Sequence, residues 1–242
     1  MSSTVTSPLA PLRPTSPRSG ASASVATQRQ GLLIYGILAS LVYVATDVLG
    51  ALYWPGYSYR DQTISELMGL DAPSRPLVLP LFMLHALLTI GFAIGVLWAA
   101  RGERALRVTG YMLLGLGIVD LTGPLVPIHL RGVAPTLTDT LHIVATGAIS
   151  LFIMLAVSFA AAARRGWFRI YSLATLIMMP LAGTLAAMDG SRLAANQPTP
   201  WLGIKERIDV YGYMLWAAVL ALVLLRELRA ARGPGGPSSP SS

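Results

Sequence analysis

Few side chains in this sequence can do chemistry, and most of them stand near the ends of long apolar runs. Charged residues make up 12% of the chain and hydrophobic residues 54%. Carboxylates, imidazoles, hydroxyls and guanidinium groups can bind a cation or a polar headgroup, transfer protons or ligate a metal. We predict that one polar pocket is built from Asp47, Ser65, Glu66, His85, Asp120, Asp139, His142, Glu206 and Arg207.

Asp47 lies about two helical turns from the end of the first apolar run. Gly36, Ser40, Tyr43 and Asp47 follow spacings of four, three and four residues, so they share one helix face. An unpaired acid at this depth in a membrane costs about 3 kcal/mol. Two interpretations stay open, a helix-packing face in which Asp47 is hydrogen-bonded and a ligand or proton site.

Asp120 lies deeper, in the segment GIVDLTGPLVP. Gly123, Pro124 and Pro127 follow it, so the third helix is predicted to kink or unwind near this end. Carbonyl groups freed beside a carboxylate would make a polar pocket. The alternative is a kinked helix in which Asp120 caps local N–H groups.

Asp139 and His142 are three residues apart and share a face at the start of the fourth apolar run. A carboxylate at this spacing can orient the imidazole or share a metal with it. If a metal binds, Asp120, Asp139 and His142 are its predicted ligands. The alternative is that Thr138 or Asp139 simply caps the helix. His85 is more often a hydrogen-bonded packing residue in such a position than a ligand.

Ser65 and Glu66 lie between two apolar runs, in the segment TISELMG. Thr63 or Ser65 is predicted to cap a short interfacial helix there. Ser65 could be a nucleophile only with a base within hydrogen-bond reach, and His142 and His85 are the candidates. No G-x-S-x-G elbow surrounds it, and the sequence contains no phosphate-loop, dinucleotide-binding or zinc-protease motif.

Arg207 stands beside Glu206 at the start of the last apolar run, in the segment GIKERIDVYGYMLW. We predict that Arg207 sits among Asp47, Glu66 and Asp120, and that Glu66 turns back into the mouth of the bundle. One arginine cannot neutralise three carboxylates, so a proton or a bound cation would be required. The alternative is a charged collar whose long side chains reach into solvent.

Six apolar runs must position these side chains, at residues 31–53, 77–100, 106–127, 139–163, 167–190 and 207–226. A helix rises about 1.5 Å per residue, so about 20 residues span a hydrocarbon core roughly 30 Å thick. No run alternates with the two-residue period of a membrane β-barrel. With a mean hydropathy of +0.60, the sequence predicts an all-α, six-helix transmembrane bundle in contact with the lipid bilayer.

Basic residues indicate the orientation of this bundle. Twelve lie on the side of the termini and of the two-to-three and four-to-five connections: Arg13, Arg18, Arg29, Arg101, Arg104, Arg107, Arg164, Arg165, Arg169, Arg226, Arg229 and Arg232. Six lie on the other side: Arg60, Arg75, Arg131, Arg192, Lys205 and Arg207. The positive-inside rule therefore predicts cytoplasmic termini, an outward-facing pocket and a location in the plasma membrane.

Composition divides the chain into three parts. Residues 1–30 and 227–242 are predicted to be disordered cytoplasmic tails because they are rich in Ser, Pro, Gly and Ala, and residues 31–226 form the membrane domain. The chain has no cysteine, which excludes disulfides, thiolate metal sites and cysteine nucleophiles. The net charge of +7 comes from arginine clusters at the ends of apolar runs, a pattern that fits membrane orientation and argues against nucleic-acid binding.

Three segments carry a resemblance to a known family. An Asp late in the first run, TISELMG followed by DAPSRP, and the later DTLHIVATGAISLFIML and GIKERIDVYGYMLW resemble the bacterial membrane proteins grouped as domain-of-unknown-function family 998. The resemblance covers about residues 31–226. It implies a six-helix membrane protein and no particular activity.

Three classes of function follow from these observations. A binding or transport protein, or an accessory membrane protein, would use the pocket for a small polar ligand, a cation or a lipid headgroup. A hydrolase would use histidine and carboxylates on a lipid-like substrate. A structural helix bundle would use the same charges only to hold its helices together. We favour a binding, transport or accessory role, and the sequence names no cofactor, substrate or oligomeric state.

Overall fold

A computed structural model describes residues 18–231 of the chain, with side chains described from residue 27 onward. Its secondary structure within these residues is helical, without β-strands. The helices are α1 Arg18–Tyr53, α2 Ile64–Leu67, α3 Arg75–Ala99, α4 Arg104–Asp120, α5 Leu137–Ala163, α6 Trp167–Ala187, α7 Gly190–Ala194 and α8 Leu202–Ala230, with a 3-10 turn at Gly123–Leu125.

Six segments are long and apolar enough to cross a membrane, which confirms the predicted number of spans. They are Thr27–Tyr53, Arg75–Ala99, Arg104–Leu125, Leu137–Ala163, Trp167–Ala194 and Leu202–Ala230. The shortest has 22 residues. At about 1.5 Å per residue it extends roughly 33 Å, enough for a hydrocarbon core of about 30 Å.

The apolar runs predict most helix ends to within three residues, and the exceptions are the end of α4, the start of α8 and the ends near the termini. Helix α1 begins at Arg18, inside the predicted tail 1–30, and α8 extends past residue 227 to Ala230. The tail boundaries drawn from composition therefore fall within helices. The rest of both predicted tails, residues 1–17 and 232–242, lies outside the described residues.

Local signals account for the elements between the spans. Helix α4 ends at Asp120 and a 3-10 turn containing Pro124 follows, as the glycine and prolines of this segment predict. Helix α2 is the predicted short helix, and Thr63 caps it in a capping box with Glu66. The predicted cap of α5 is wrong, because the capping residue is Thr136 and Asp139 completes its capping box from the third helical position.

The six long helices form a closed ring in chain order. Helix α1 packs on α3, α3 on α4, α4 on α5, α5 on α6 and α6 on α8, and α8 closes the ring against α1. Short connections at 100–103 and 164–166 keep the neighbours antiparallel. The loops 54–74, 121–136 and 188–201 all emerge at one end of the ring, which we call the loop end.

The interior is filled by apolar side chains in the half of the ring opposite the loop end. The buried cluster there includes Leu33, Phe92, Val96, Leu113, Trp216, Leu220 and Leu224. Gly95 lets α3 approach α1 closely, since a Cβ at this position would lie 3.0 Å from the backbone of Leu32. This half of the ring is therefore a packed core.

Helix α5 differs from the other spans near the loop end. Its buried residues begin at Ile153, and none of residues 137–152 is buried. The first four turns of α5 are therefore loosely packed, and the interior of the ring is open beside them.

Candidate functional site

A buried ion pair joins α8 to α1 at the loop end. The Nε of Arg207 donates to Asp47 at 2.8 Å and its Nη2 donates to the other carboxylate oxygen at 2.7 Å. The side chains are 3% and 0% exposed. The sequence predicted this pairing from the depth of the two residues, and a two-bond arginine–carboxylate geometry is the strongest form of such a contact.

Every N–H of the Arg207 guanidinium has an acceptor. Its Nη2 also donates to the hydroxyl of Tyr57 at 2.8 Å, and its Nη1 donates to the carbonyl oxygens of Tyr59, Gln62 and Gly203 at 2.9–3.1 Å. The cation lies 3.6 Å from the centre of the Tyr59 ring. Arg207 therefore fastens the loop after α1 onto α8, and no donor is left for a ligand.

Glu66 has a different partner from the one predicted. Nε of Arg131 donates to Glu66 at 2.5 Å and Nη2 donates to it at 2.9 Å. Arg131 also donates to the hydroxyl of Thr199 at 2.6 Å and to the backbone carbonyl of Asp61 at 2.9 Å. The prediction that Arg207 sits among Asp47, Glu66 and Asp120 is therefore correct only for Asp47, because Glu66 bonds to Arg131 and Asp120 lines a cavity that Arg207 does not reach. Arg131 instead ties all three loops of the loop end together, and the bond to Glu66 raises the pKa of Arg131.

Two further ion pairs hold the outer edge of these loops. The Arg60 guanidinium beside Asp61 holds the pKa of that carboxyl below its usual range, and the backbone N–H of Trp201 adds to the effect. Lys205 donates to Asp189 at 2.6 Å. These contacts pair Arg60 and Lys205 with acids outside the ring interior.

Asp139 does not pair with His142. It accepts the backbone N–H of His129 at 2.7 Å and the Nδ1 of the same residue at 2.9 Å, as well as the capping bond from Thr136. Among residues 18–231, no group of three or more His, Asp or Glu side chains could hold a metal ion. The conditional ligand set Asp120, Asp139 and His142 is therefore not assembled as a metal site.

A cavity of about 190 Å³ opens inside the ring on the loop side of the packed core. All six long helices and α2 contribute to it. Its polar lining includes Tyr43, Ser65, His85, Asp120, His142, Thr146, Ser150, Glu206, Asp209 and Tyr213. Its apolar lining includes Phe82, Leu116, Val119, Ile149 and Ile153. No lysine or arginine of the described chain lines it.

The three carboxyl groups of this cavity have no lysine or arginine partner in the described chain. Asp120 has the imidazole of His85 nearby, with its carboxyl oxygen 3.7 Å from Nε2. Glu206 accepts the backbone N–H of Ile64 at 2.6 Å, which leaves its other oxygen without a partner among the described residues. The carboxyl group of Asp209 makes no hydrogen bond or ion pair within residues 27–231. Three carboxyl groups therefore share one enclosed, mainly apolar space.

The remaining polar side chains of the cavity are histidines and hydroxyl residues, which can accept hydrogen bonds. His85 is buried, and its Nδ1 lies 3.0 Å from the carbonyl oxygen of Ala39. Because a carbonyl only accepts, Nδ1 carries the proton and Nε2 is an acceptor, which lies 3.5 Å from the hydroxyl of Thr89. Tyr213 is 3% exposed, and its hydroxyl has no hydrogen-bond partner in the described part of the chain. The cavity thus offers acceptors to a ligand that carries donors.

A second pair of side chains meets at the cavity wall. Nδ1 of His142 lies 3.0 Å from the carbonyl oxygen of Val126, and its Nε2 lies 3.4 Å from the hydroxyl of Ser65. The carbonyl again fixes the proton on Nδ1, so the lone pair of Nε2 points to Ser65. Of the two candidate bases that the sequence analysis named for Ser65, His142 is the one within contact distance.

The structure brings five of the nine predicted pocket residues to the cavity: Ser65, His85, Asp120, His142 and Glu206. The other four, Asp47, Glu66, Asp139 and Arg207, lie outside its lining and hold loops and helices together. The predicted pocket did not include Arg131, Asp209 or Tyr213. Asp209 and Tyr213 lie three and seven residues after Glu206 and share its helix face, but this spacing does not show that the face points into the ring.

Comparison with known proteins adds one match. The family model described as "Protein of unknown function (DUF998)" matches residues 37–223, which is more than half of the chain. No curated protein and no solved structure matches the chain.

Proposed function

The chain belongs to the DUF998 family, whose description assigns no activity, and we propose that it is a multi-pass membrane protein that binds a small organic cation. The observation that carries this proposal is the cavity in which Asp120, Glu206 and Asp209 face one space that no lysine or arginine of the described chain lines. A protonated amine on a small apolar body matches that space. Both a transporter and an accessory protein would use such binding.

The charge balance of the loop end supports a cationic ligand. Arg207 is fully occupied by Asp47 and loop carbonyls, Arg131 by Glu66, and Lys205 by Asp189. These side chains cannot also neutralise the acids of the cavity. An unpaired carboxylate in apolar surroundings costs several kcal/mol, so either protons or a bound cation must offset the charge.

The size of the cavity limits the ligand. Its 190 Å³ is close to the roughly 150 Å³ of an engineered apolar cavity that accepts benzene. Sites for drug-sized molecules are about 300–1,000 Å³. Phe82, Leu116 and Ile153 would contact the apolar part of a ligand while the carboxyl groups contact its ammonium group. A primary amine on a single ring or a short chain fits both features.

The packed core restricts access to one side of the ring. Phe92, Leu113 and Trp216 are buried and fill the interior opposite the loop end. The cavity is therefore reached from the loop end or past the loosely packed start of α5. This arrangement supports binding from one side, and a transport cycle would require the core to repack.

We propose that the loop end faces the outside of the plasma membrane and that both termini are cytoplasmic. The excess of arginine at the other end of the spans supports this orientation. In this cysteine-free chain, Ala194→Cys should react with a membrane-impermeant maleimide on intact cells, whereas Ser238→Cys should react only after permeabilisation. The reverse pattern would place the cavity on the cytoplasmic side.

Thermal unfolding with benzylammonium tests the binding proposal. A ligand at 100 times its Kd stabilises a protein by about 2.7 kcal/mol, which corresponds to a rise in Tm of roughly 5–11 °C for a chain of this length. The detergent-purified wild type should show such a rise. The double variant Asp120→Asn/Asp209→Asn should lose most of it, because neutral amides keep the shape of the cavity and remove its charge.

Asp71→Asn provides the matched control. Asp71 is exposed, lies outside the cavity and has a positive φ of 65°, a backbone conformation that Asn tolerates. This variant should keep the full rise in Tm. An equal rise in the cavity double variant would show that benzylammonium binds elsewhere, and no rise in the wild type would remove the proposal.

A further inference from the structure

We propose that Ser65 is a nucleophile and His142 its general base, so that the cavity mouth hydrolyses esters with an apolar acyl chain. The inference goes beyond cation binding and does not depend on it, because it requires only the cavity and these two side chains. It starts from the 3.4 Å contact between Nε2 of His142 and the hydroxyl of Ser65. Looser contacts of this kind are common before substrate binds.

The tautomer of His142 suits this role. Its Nδ1–H donates to the carbonyl oxygen of Val126 at 3.0 Å, which leaves Nε2 unprotonated toward Ser65. The carbonyl of Val126 thus positions the ring as a carboxylate does in a three-residue triad. Ser65 makes no other side-chain hydrogen bond in the described chain, so its hydroxyl proton is available to His142.

Helix α2, which carries Ser65, is held in place by several bonds, whereas the start of α5, which carries His142, is loosely packed. Helix α2 is fixed by its capping box, by the bond from Ile64 to Glu206 and by the pair of Glu66 with Arg131. His142 lies on the part of α5 that buries no residue. A substrate can therefore approach the pair past α5 without displacing the core.

The wall beside the pair provides an apolar track. Ala145, Ile149 and Ile153 follow His142 along α5, and all of them line the cavity. Their spacing places them on one face of the helix, in line with the histidine. An acyl chain lying on this face would bring its carbonyl carbon to Ser65.

The reaction balances with water as the second substrate. The Ser65 oxygen attacks the carbonyl carbon while its proton passes to Nε2 of His142. The bond to the leaving alcohol breaks, and His142 gives that alcohol the proton. Water then attacks the acyl–Ser65 ester, His142 takes a proton from the water and returns it to the Ser65 oxygen, and a carboxylic acid leaves.

An alkyl fluorophosphonate tests the pair directly. This probe phosphonylates an activated serine with loss of fluoride, and mass spectrometry locates the adduct. On the purified full-length chain the adduct should form at Ser65, and Ser65→Ala should abolish it. His142→Asn should slow labelling about 100-fold or more, since a positioned base contributes about 10²–10⁴.

The choice of variants separates chemistry from folding. The amide of Asn can reproduce the bond from Nδ1 to Val126 while removing Nε2, so His142→Asn is expected to keep the Tm of the wild type. Ser158→Ala removes an exposed hydroxyl of α5 outside the cavity and should label at the wild-type rate. No adduct at Ser65, or an equal labelling rate in His142→Asn, would overturn the inference. The adduct at Ser65 and the rise in Tm with benzylammonium are measured separately on the wild type, so either proposal can fail alone.

Discussion

Replacing Arg207 with alanine should destabilise this protein more than any other single arginine substitution in its described part. The change removes both bonds to Asp47, the bond to Tyr57 and the contacts with two loop carbonyls and one carbonyl of α8. It also leaves the Asp47 carboxylate, which is 0% exposed, without a cation. The penalty arises mainly from that unpaired charge.

The magnitude follows from the burial of the pair. Removing one partner of a buried ion pair costs about 3–5 kcal/mol. For a chain of this length, each kcal/mol shifts Tm by about 2–4 °C, so the expected decrease is roughly 6–20 °C. Arg207→Lys should recover little of the loss, because an ammonium group cannot make the two parallel bonds or stack on Tyr59.

Denaturant or thermal unfolding of the detergent-purified protein measures the effect. Arg192→Ala is the control, because Arg192 is exposed and forms no ion pair among residues 27–231. The double variant Asp47→Ala/Arg207→Ala should cost less than the sum of the two single changes, since the second removes the charge that the first leaves unpaired. Equal melting of Arg207→Ala and Arg192→Ala, or strictly additive costs, would refute the reasoning.

Three further predictions concern the loops of the loop end. Arg131→Ala should cost about 1.5–3 kcal/mol in the same unfolding assay, less than Arg207→Ala, because Glu66 keeps its bonds within α2. Gly203→Ala should destabilise by about 1–3 kcal/mol because its Cβ would overlap two loop carbonyls, whereas Gly190→Ala, with open space around it, should be neutral. The depressed pKa of Asp61 contributes stability above about pH 4 that is lost as pH falls further, so Asp61→Asn should lose less stability than the wild type between pH 5 and 3 in a melting series.

Hydropathy and helix periodicity were sufficient to predict the spans and one of the ion pairs. Each long helix reads as an apolar run because lipid must solvate its outer face. Asp47 and Arg207 lie near the same end of two spans, so their similar depth in the membrane was enough to predict that they pair. Thr63 and Glu66 have the spacing of a capping box, which made α2 visible in sequence.

Loop partners could not be predicted in this way. Arg131 and His129 lie in the connection between α4 and α5, where no periodicity fixes the direction of a side chain. Their bonds to Glu66 and Asp139 depend on how three loops pack together. The sequence therefore assigned Glu66 to the arginine on a helix, Arg207, and missed the arginine in the loop.

The cavity also depends on long-range packing. Asp209 and Tyr213 share a helix face with Glu206, yet α8 is apolar on several sides, so spacing alone does not tell which face points inward. That direction is set when α8 closes the ring between α6 and α1. The open space itself results from the loose packing of residues 137–152 of α5.

Calorimetric titration with two probes of nearly equal shape tests the central claim most directly. Benzylammonium and benzyl alcohol differ mainly in charge, and a hydrogen bond to a charged group contributes about 1.5–3 kcal/mol. The detergent-purified wild type should bind benzylammonium at least about tenfold more tightly than benzyl alcohol. Equal affinities for the two probes would show that the acids of the cavity do not select a cation, and would contradict the account.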